Sequence, residues 1–365
     1  MSFPFVQPYF GLGNSLQTAQ AGGAGGAVGG WVELARTTVG SAVDDITVGS
    51  LADKRYYMVL VDGINTGGID PAFRLNADTG TNYANRRSEN GGSDATNTSL
   101  NRMALYSALD TPYFQVGYLA NFATKEKLFQ GHLVGRNSAG AGNAPKRGEF
   151  VGKHAQTTNP ISSVTQRNNG TGDHSIGAEV VVLGWDPADT HTTNFWEELA
   201  DVNATGSESS FDTGAFTAKK YLCIQFYWKA TFTGAYTTMR VGNTTLDTGS
   251  NYAWRLSNNG GADGTGVNKS DGWYPVSGQG SDSATDYYVF GNMFIINNAS
   301  NEKLGICHTN RWDGAGAGNA NARSEVAVKW ADTTNQIDIV GLERAGGSAS
   351  GNYDSVSQIK VWGSN

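Results

Sequence analysis

The sequence predicts an all-β protein, in which two tandem jelly-roll-like β-sandwich domains follow an extended N-terminal arm. Three observations support this fold class: an internal repeat about one domain long, short runs of aromatic and β-branched residues separated by turn residues, and no long run with helical periodicity. A Greek-key sandwich with another strand order is the alternative.

The repeat consists of three polar motifs that occur twice, in the same order and with nearly the same spacing. The pairs are 78–84 and 247–253, 89–96 and 258–265, and 139–144 and 315–320. A period of about 170 residues is the size of a domain and far exceeds a solenoid unit of about 20–50 residues. We therefore expect an internal duplication of a single fold.

The repeat divides the chain into an arm (1–30), a first sandwich copy (31–184), a linker (185–194) and a second copy (195–365). Each copy contains about eight to ten candidate strands, in which aromatic and β-branched residues dominate, as a pleated surface favours. The clearest are 56–61, 113–118, 127–132 and 178–183 in the first copy, and 221–226, 287–290, 303–308 and 357–361 in the second.

Residues 1–30 differ from the rest because they contain no charged residue and end in a glycine-rich run. Large apolar side chains are concentrated near the start, at Phe3, Phe5, Tyr9, Phe10 and Leu12. Such a segment cannot fold alone, yet it is too apolar to remain in water without cost. We predict a docking arm that lies on another subunit or another protein. The alternative is an arm that folds back on its own first domain.

The composition also narrows the range of partners. A net charge of −7, with basic residues clustered no further than adjacent pairs such as 86–87 and 219–220, argues against nucleic-acid binding. No run of 18 apolar residues is present, so we expect no membrane insertion. The start lacks the basic region of a secretion signal, which predicts synthesis in a cytoplasm without a signal peptide.

The inventory of catalytic residues is small. No zinc-binding spacing, P-loop or Gly-x-Ser-x-Gly motif occurs, so we predict a non-enzymatic protein without cofactor or catalytic metal. His132 and His308 correspond between the copies, and half-buried strand histidines explain them better than ligands do. Cys223 and Cys307 have no cysteine counterparts in the first copy, which indicates buried thiols.

The repeated polar loops contain Asp78, Asp94, Asp247 and Asp263 near glycines. Turn chemistry explains them best, because Asn and Asp bond to their own backbone and tolerate left-handed conformations. A structural Ca²⁺ ion, which takes 6–8 oxygen ligands, is the alternative. Arg147 and Glu149, and their repeated counterparts at 323 and 325, are predicted to form cross-strand ion pairs. A polar surface for sugar hydroxyl groups is the alternative.

Aromatic residues are more numerous in the second copy, which makes it the better candidate for contact with a ligand. The predicted contact residues for a glycan are Tyr252, Trp254, Arg255 and Trp312. Tyrosine and tryptophan rings would stack on sugar rings there, while polar side chains would bond to hydroxyl groups.

The repeated motifs Asn-Tyr-Ala-x-Arg, Asn-Gly-Gly-x-Asp, Glu-Lys-Leu and Ala-Gly-Ala-Gly-Asn-Ala resemble those of virion structural proteins of tailed bacteriophages, especially marine ones. The resemblance covers 31–184 and 195–363 and extends to the arm. It implies a β-sandwich module on the outside of a virion, as tail fibre, tail tip or capsid decoration, with no catalytic residues.

We therefore expect a virion structural protein that binds other virion proteins through its arm and forms a homo-oligomer. One rival function is a module that binds a host-surface glycan or receptor. A second rival is a glycan-degrading enzyme, which needs a pair of carboxylates in a cleft. No such pair stands out in the sequence.

Overall fold

The computed structural model describes residues 30–109, 111–187, 189, 193–232, 236–274, 287–312, 315, 317–346 and 350–365. Over these residues the chain is all-β and contains no α-helix. The first half has twelve strands: β1 (Val32–Thr38), β2 (Asp45–Val48), β3 (Tyr56–Gly63), β4 (Pro71–Leu75), β5 (Tyr83–Glu89), β6 (Ala95–Leu100), β7 (Met103–Ala104), β8 (Tyr113–Ala120), β9 (Lys127–Gly135), β10 (Lys146–His154), β11 (Val164–Asn168) and β12 (Glu179–Trp185).

The second half also has twelve strands in its described part. These are β13 (Glu197–Asn203), β14 (Ser210–Asp212), β15 (Tyr221–Ala230), β16 (Tyr236–Asn243), β17 (Thr245–Leu246), β18 (Tyr252–Asn258), β19 (Gly264–Lys269), β20 (Tyr287–Ile296), β21 (Lys303–Arg311), β22 (Ala322–Trp330), β23 (Ile339–Ala345) and β24 (Gln358–Ser364). All eight segments named above as the clearest strands overlap strands of the structure.

Each half contains one eight-stranded and one four-stranded antiparallel sheet. The large sheets have the orders β1-β12-β3-β8-β9-β10-β5-β6 and β13-β24-β15-β20-β21-β22-β18-β19. The small sheets have the orders β2-β11-β4-β7 and β14-β23-β16-β17. The fourth strand of the small sheet differs, because β7 follows β6 in the chain whereas β17 forms a hairpin with β16.

A hydrophobic core lies between the large and small sheet of each half, as in a β-sandwich. In the first half, Phe73 and Val164 of the small sheet belong to one buried cluster with Val59 and Phe129 of the large sheet. Strand β9 shows how the sequence produces this arrangement: alternate residues point to opposite faces, so Phe129 and Leu133 face the core while Leu128 faces outward.

A third apolar cluster joins the two halves. It brings together outward-facing residues of both large sheets, including Leu60 and Phe114 from the first half and Tyr221, Ile296 and Leu304 from the second. The large sheets therefore pack face to face, with β9 against β21 and β8 against β20. The small sheets lie on the two outer sides of this assembly.

A buried tyrosine supports the same corner in each half. The Tyr83 hydroxyl accepts a hydrogen bond from Leu75 N (3.1 Å) and donates to a backbone carbonyl. The Tyr252 hydroxyl donates to Val241 O (2.7 Å) and accepts from Val241 N (3.3 Å). Burial raises the pKa of Tyr83 to about 12, so the hydroxyl keeps its proton at neutral pH.

We expect Tyr83→Phe and Tyr252→Phe each to lower the free energy of unfolding by about 1–3 kcal/mol, because each change leaves a buried backbone N–H without its acceptor. Urea unfolding followed by circular dichroism measures this. Tyr56→Phe is the matched control, since that ring is only half-buried and stacks on Trp185. Equal effects of the three substitutions would contradict the assignment.

Candidate binding groove

Two buried carboxylates lie next to each other at the contact between the two halves. Asp62 and Glu179 are opposite each other on β3 and β12, and they are 1% and 4% exposed. Lys220 from the second half lies between them, with its Nζ 3.1 Å from Asp62 and 3.0 Å from Glu179. The Tyr221 hydroxyl donates to Glu179 (2.8 Å), and Asn298 donates to Asp62 (2.8 Å).

The environment shifts the pKa values of these two groups in opposite directions. Burial raises the pKa of Asp62 above its usual value. Burial also acts to raise that of Glu179, but hydrogen bonds from Thr38 and Tyr221 and the charge of Lys220 outweigh it and lower the pKa. Such a divergence can mark an acid–base pair. Here Lys220, Tyr221 and Asn298 of the second half contact both carboxylates, so the pair joins the two halves.

Arg147 links the halves at a second point. Its guanidinium lies 2.6 Å from Asp263 and 3.3 Å from Glu325, both in the second half. Arg147 pairs with Glu149, and Arg323 pairs with Glu325, but each of these pairs joins residues of one strand and not of two strands as expected. The Arg147 side chain is only 7% exposed, so losing its partners would leave a buried charge.

The two repeated histidines meet each other across the interface. The rings of His132 on β9 and His308 on β21 are 4.2 Å apart between centroids, at an angle of 63°. Burial lowers the pKa of both imidazoles, and Arg147 adds to this effect. The pKa of His308 falls to about 4. The pair is therefore uncharged at neutral pH.

Beside this closed contact, the outer face of the first large sheet borders an apolar groove of about 590 Å³. First-half residues form most of its walls, and a few second-half residues complete it. The main walls of this apolar groove are Trp31, Tyr56, Tyr118, Leu128, Val151 and Trp185, together with Cys223, Gln225, Asn292 and Phe294 of the second half.

The groove combines stacked aromatic rings with exposed aliphatic side chains. Tyr56 and Trp185 stack at 5.5 Å between ring centroids, and Trp31 lies 6.4 Å from Tyr118. Leu128 is 59% exposed and Val151 is 51% exposed, which is unusual for large apolar residues on central strands. An occupant that buries apolar surface would suit this groove.

The predicted glycan contacts lie elsewhere and do not form an open platform. Tyr252 is fully buried and Trp254 is 8% exposed, because both belong to the face of β18 that points into the second half's core. Arg255 donates to the carbonyl of Pro145 in the first half (2.8 Å). Trp312 is half-buried beyond the end of β21. The expected stacking surface at Tyr252 and Trp254 is therefore wrong.

Of the four repeated aspartates, Asp78 and Asp247 form turns, and Asp94 and Asp263 form ion pairs. Asp78 accepts hydrogen bonds from Gly80 N (2.7 Å), Asn82 Nδ2 (2.8 Å) and the ring of His154 (2.8 Å). Asp94 pairs with Arg86, and Asp263 pairs with Arg147. Asp247 is held by three donors, from Gly249, Asn251 and Trp330. Donors of the chain thus bind both carboxylate oxygens of Asp78 and of Asp247.

Cys223 and Cys307 are free and buried, as predicted, the first in the contact between the halves and the second in the core of the second half. Within the described part of the chain, no three His, Cys, Asp or Glu side chains are grouped closely enough to hold a metal ion. Among those same residues, no helix is long and apolar enough to cross a membrane. The predicted docking residues Phe3, Phe5, Tyr9, Phe10 and Leu12 lie outside the described residues.

Comparison with protein-family models and with curated proteins gives no match for this chain. The groove was not predicted from the sequence either. Its one sequence signal is the outward-facing pair Leu128 and Val151, whose counterparts on β21 and β22 are Leu304 and Ala327. The counterparts Leu304 and Ala327 are covered by the first half, whereas Leu128 and Val151 are exposed.

The low pKa values of the paired histidines predict a specific pH dependence. Between pH 6.5 and about 4 the unfolded chain binds protons that the folded chain does not, so the free energy of unfolding falls as the pH falls through this window. We expect His308→Gln to reduce that slope, measured by urea unfolding at several pH values. The control is Lys153→Gln, a substitution at an exposed site outside the histidine pair. An unchanged slope in His308→Gln would contradict the assignment.

Proposed function

We propose that the protein is a non-enzymatic structural component on the exterior of a tailed-phage virion, built by internal duplication of a jelly-roll-like sandwich. The observation that supports this proposal is the face-to-face packing of the two large sheets, which share one apolar cluster. Its place on the particle is a tail fibre, a tail tip or a capsid decoration.

Duplication is supported by strand order and by matched details. The large sheets have the same order once β5 is paired with β18 and β8 with β20. Tyr83 and Tyr252 hold equivalent backbone atoms. Asp78 and Asp247 each accept from a glycine N–H two residues later at 2.7 Å. Two halves of independent origin would not be expected to share these contacts.

A structural role is supported by how the reactive groups are used. The adjacent carboxylates Asp62 and Glu179 bind Lys220, and Arg147 binds acidic residues of the other half. The histidine pair is enclosed at the interface. In the described residues, these charged groups and the histidine pair therefore join the two halves.

In this proposal, residues 1–30 attach the protein to other virion proteins, and copies assemble as a homo-oligomer. Burying the five large apolar side chains of the arm would contribute roughly 1.5–3 kcal/mol each before the cost of ordering. Several copies acting together would hold firmly even if each arm binds weakly.

A second candidate function is the binding of a host-surface glycan or receptor. The observation that favours it is the apolar groove, where the stacked rings of Tyr56 and Trp185 lie near the amide side chains of Gln225 and Asn292. Aromatic faces and amides together recognise sugars in many sites, but the small polar fraction of these walls makes the structural role the stronger proposal.

Removing residues 1–20 should leave the β-sheet signal intact and abolish incorporation into particles, because the sheets are paired from β1 onward while the attachment side chains are lost. Circular dichroism and particle incorporation of the truncated protein test this. Full-length protein with Phe3→Ser, Phe5→Ser and Phe10→Ser is the matched control and should fail in the same way. Normal incorporation of the truncated protein into particles would contradict the attachment proposal. Loss of the β-sheet signal in circular dichroism would show that the arm belongs to the first half's core.

A further inference from the structure

The apolar groove lies on a sheet face whose counterpart in the other half is covered. Leu128 pairs with Lys153 across β9 and β10, as Leu304 pairs with Lys329 across β21 and β22. Leu304 is fully buried by the first half, whereas Leu128 is 59% exposed. The same contrast holds for Val151, whose counterpart is fully buried. We therefore expect this apolar sheet face to pack against another surface.

The charges around the groove favour an uncharged occupant. Arg86 pairs with Asp94 at 3.2 Å, and Lys153 pairs with Glu126 at 3.0 Å, so both cations already have partners. The remaining walls are mostly aromatic, aliphatic and amide side chains. An anionic ligand would find no unpaired positive charge here, while a neutral apolar segment would leave no charge buried without a partner.

The chain itself supplies a segment with that chemistry next to the groove. Residues 1–30 carry no charge and include three phenylalanines, a tyrosine and a leucine between positions 3 and 12. Trp31, the residue that directly follows, is one of the groove walls, and its carbonyl accepts a hydrogen bond from Phe195 N (2.7 Å). The chain therefore enters the described structure at the groove.

We propose that the apolar groove binds residues 3–12 of the same chain. Residues 13–30 connect this segment to Trp31. A random-coil linker of that length would have a root-mean-square end-to-end distance of about 23 Å, which gives the attached segment an effective concentration in the millimolar range. A neighbouring copy competes poorly against a segment held so close. The inference goes beyond the proposed attachment role, because the arm must leave the groove before it anchors the protein to a particle.

A peptide-binding experiment tests this directly on the full chain. The probe is a fluorescein-labelled peptide of residues 1–14, and its anisotropy reports binding. The two proteins compared are the natural chain and the full-length variant with Phe3→Ser, Phe5→Ser and Phe10→Ser, whose own arm can no longer fill the groove. We expect the peptide to bind the variant at least ten-fold more tightly, because the natural arm blocks the groove in the other protein.

Substitutions at exposed positions locate the binding site. Leu128→Glu, added to the arm variant, should weaken peptide binding at least ten-fold because it places a charge on the groove floor. Val356→Glu is the matched control, since Val356 is 54% exposed and is not among the groove walls. A peptide with the same three phenylalanines replaced by serine should not bind.

Several outcomes would overturn the inference. One is failure of the peptide to bind the arm variant, and another is equal weakening by the two glutamate substitutions. Arm-dependent dimers of the natural chain in light scattering would assign the groove to a neighbour's arm instead. If the truncated protein fails to enter particles while the peptide does not bind, the attachment proposal stands and this inference falls. The reverse pattern removes the attachment proposal alone.

Discussion

The apolar layer between the outer faces of the two large sheets is the contact on which the rest of the structure depends. An antiparallel sheet commonly has one face in contact with water, so apolar and polar residues alternate along the sequence of its strands. In β3, by contrast, Val59, Leu60 and Val61 are all fully buried, because odd residues face the sandwich core and Leu60 faces the other half. Without the second half, that outer face would expose a large apolar surface.

Charged groups around this layer fix how the halves align. Removing one partner of a buried ion pair is costly, since the other charge stays buried alone. Lys220 reaches two carboxylates of the first half, and Arg147 reaches two of the second. An apolar layer alone would tolerate sliding, whereas these contacts form in one register only. The interface therefore accounts for both the stability and the relative orientation of the halves.

Local features of the fold could be predicted from the sequence. The Asn-Gly pairs of the repeated loops, at 90–91 and 259–260, adopt left-handed conformations, with φ of 51° and 72° in the first and 52° and 73° in the second. Strand positions and the buried thiols were also predicted correctly. These features depend on neighbours in the chain, where residue preferences act directly.

The sequence could not predict what each sheet face contacts. The alternation of side chains along a strand separates the two faces of a sheet, but it does not show what covers either face. The sequence therefore predicted an exposed Trp254 that could stack on a sugar, although the side chain lies on the face of β18 that packs into the core. Likewise, nothing local in β9 shows that Leu128 stays open while Leu304 of β21 is covered. That difference arises from the packing of strands distant in sequence, and it creates the groove.

Native-state hydrogen exchange tests the central claim of a shared core most directly. If the two halves form one cooperative body, the slowest amides of β8 and β9 and those of β20 and β21 should exchange with the same opening free energy, equal to that of global unfolding. The matching values should shift together when the contact is weakened by Leu304→Ala. Separate opening free energies for the two halves, with Leu304→Ala altering only the second, would contradict the account.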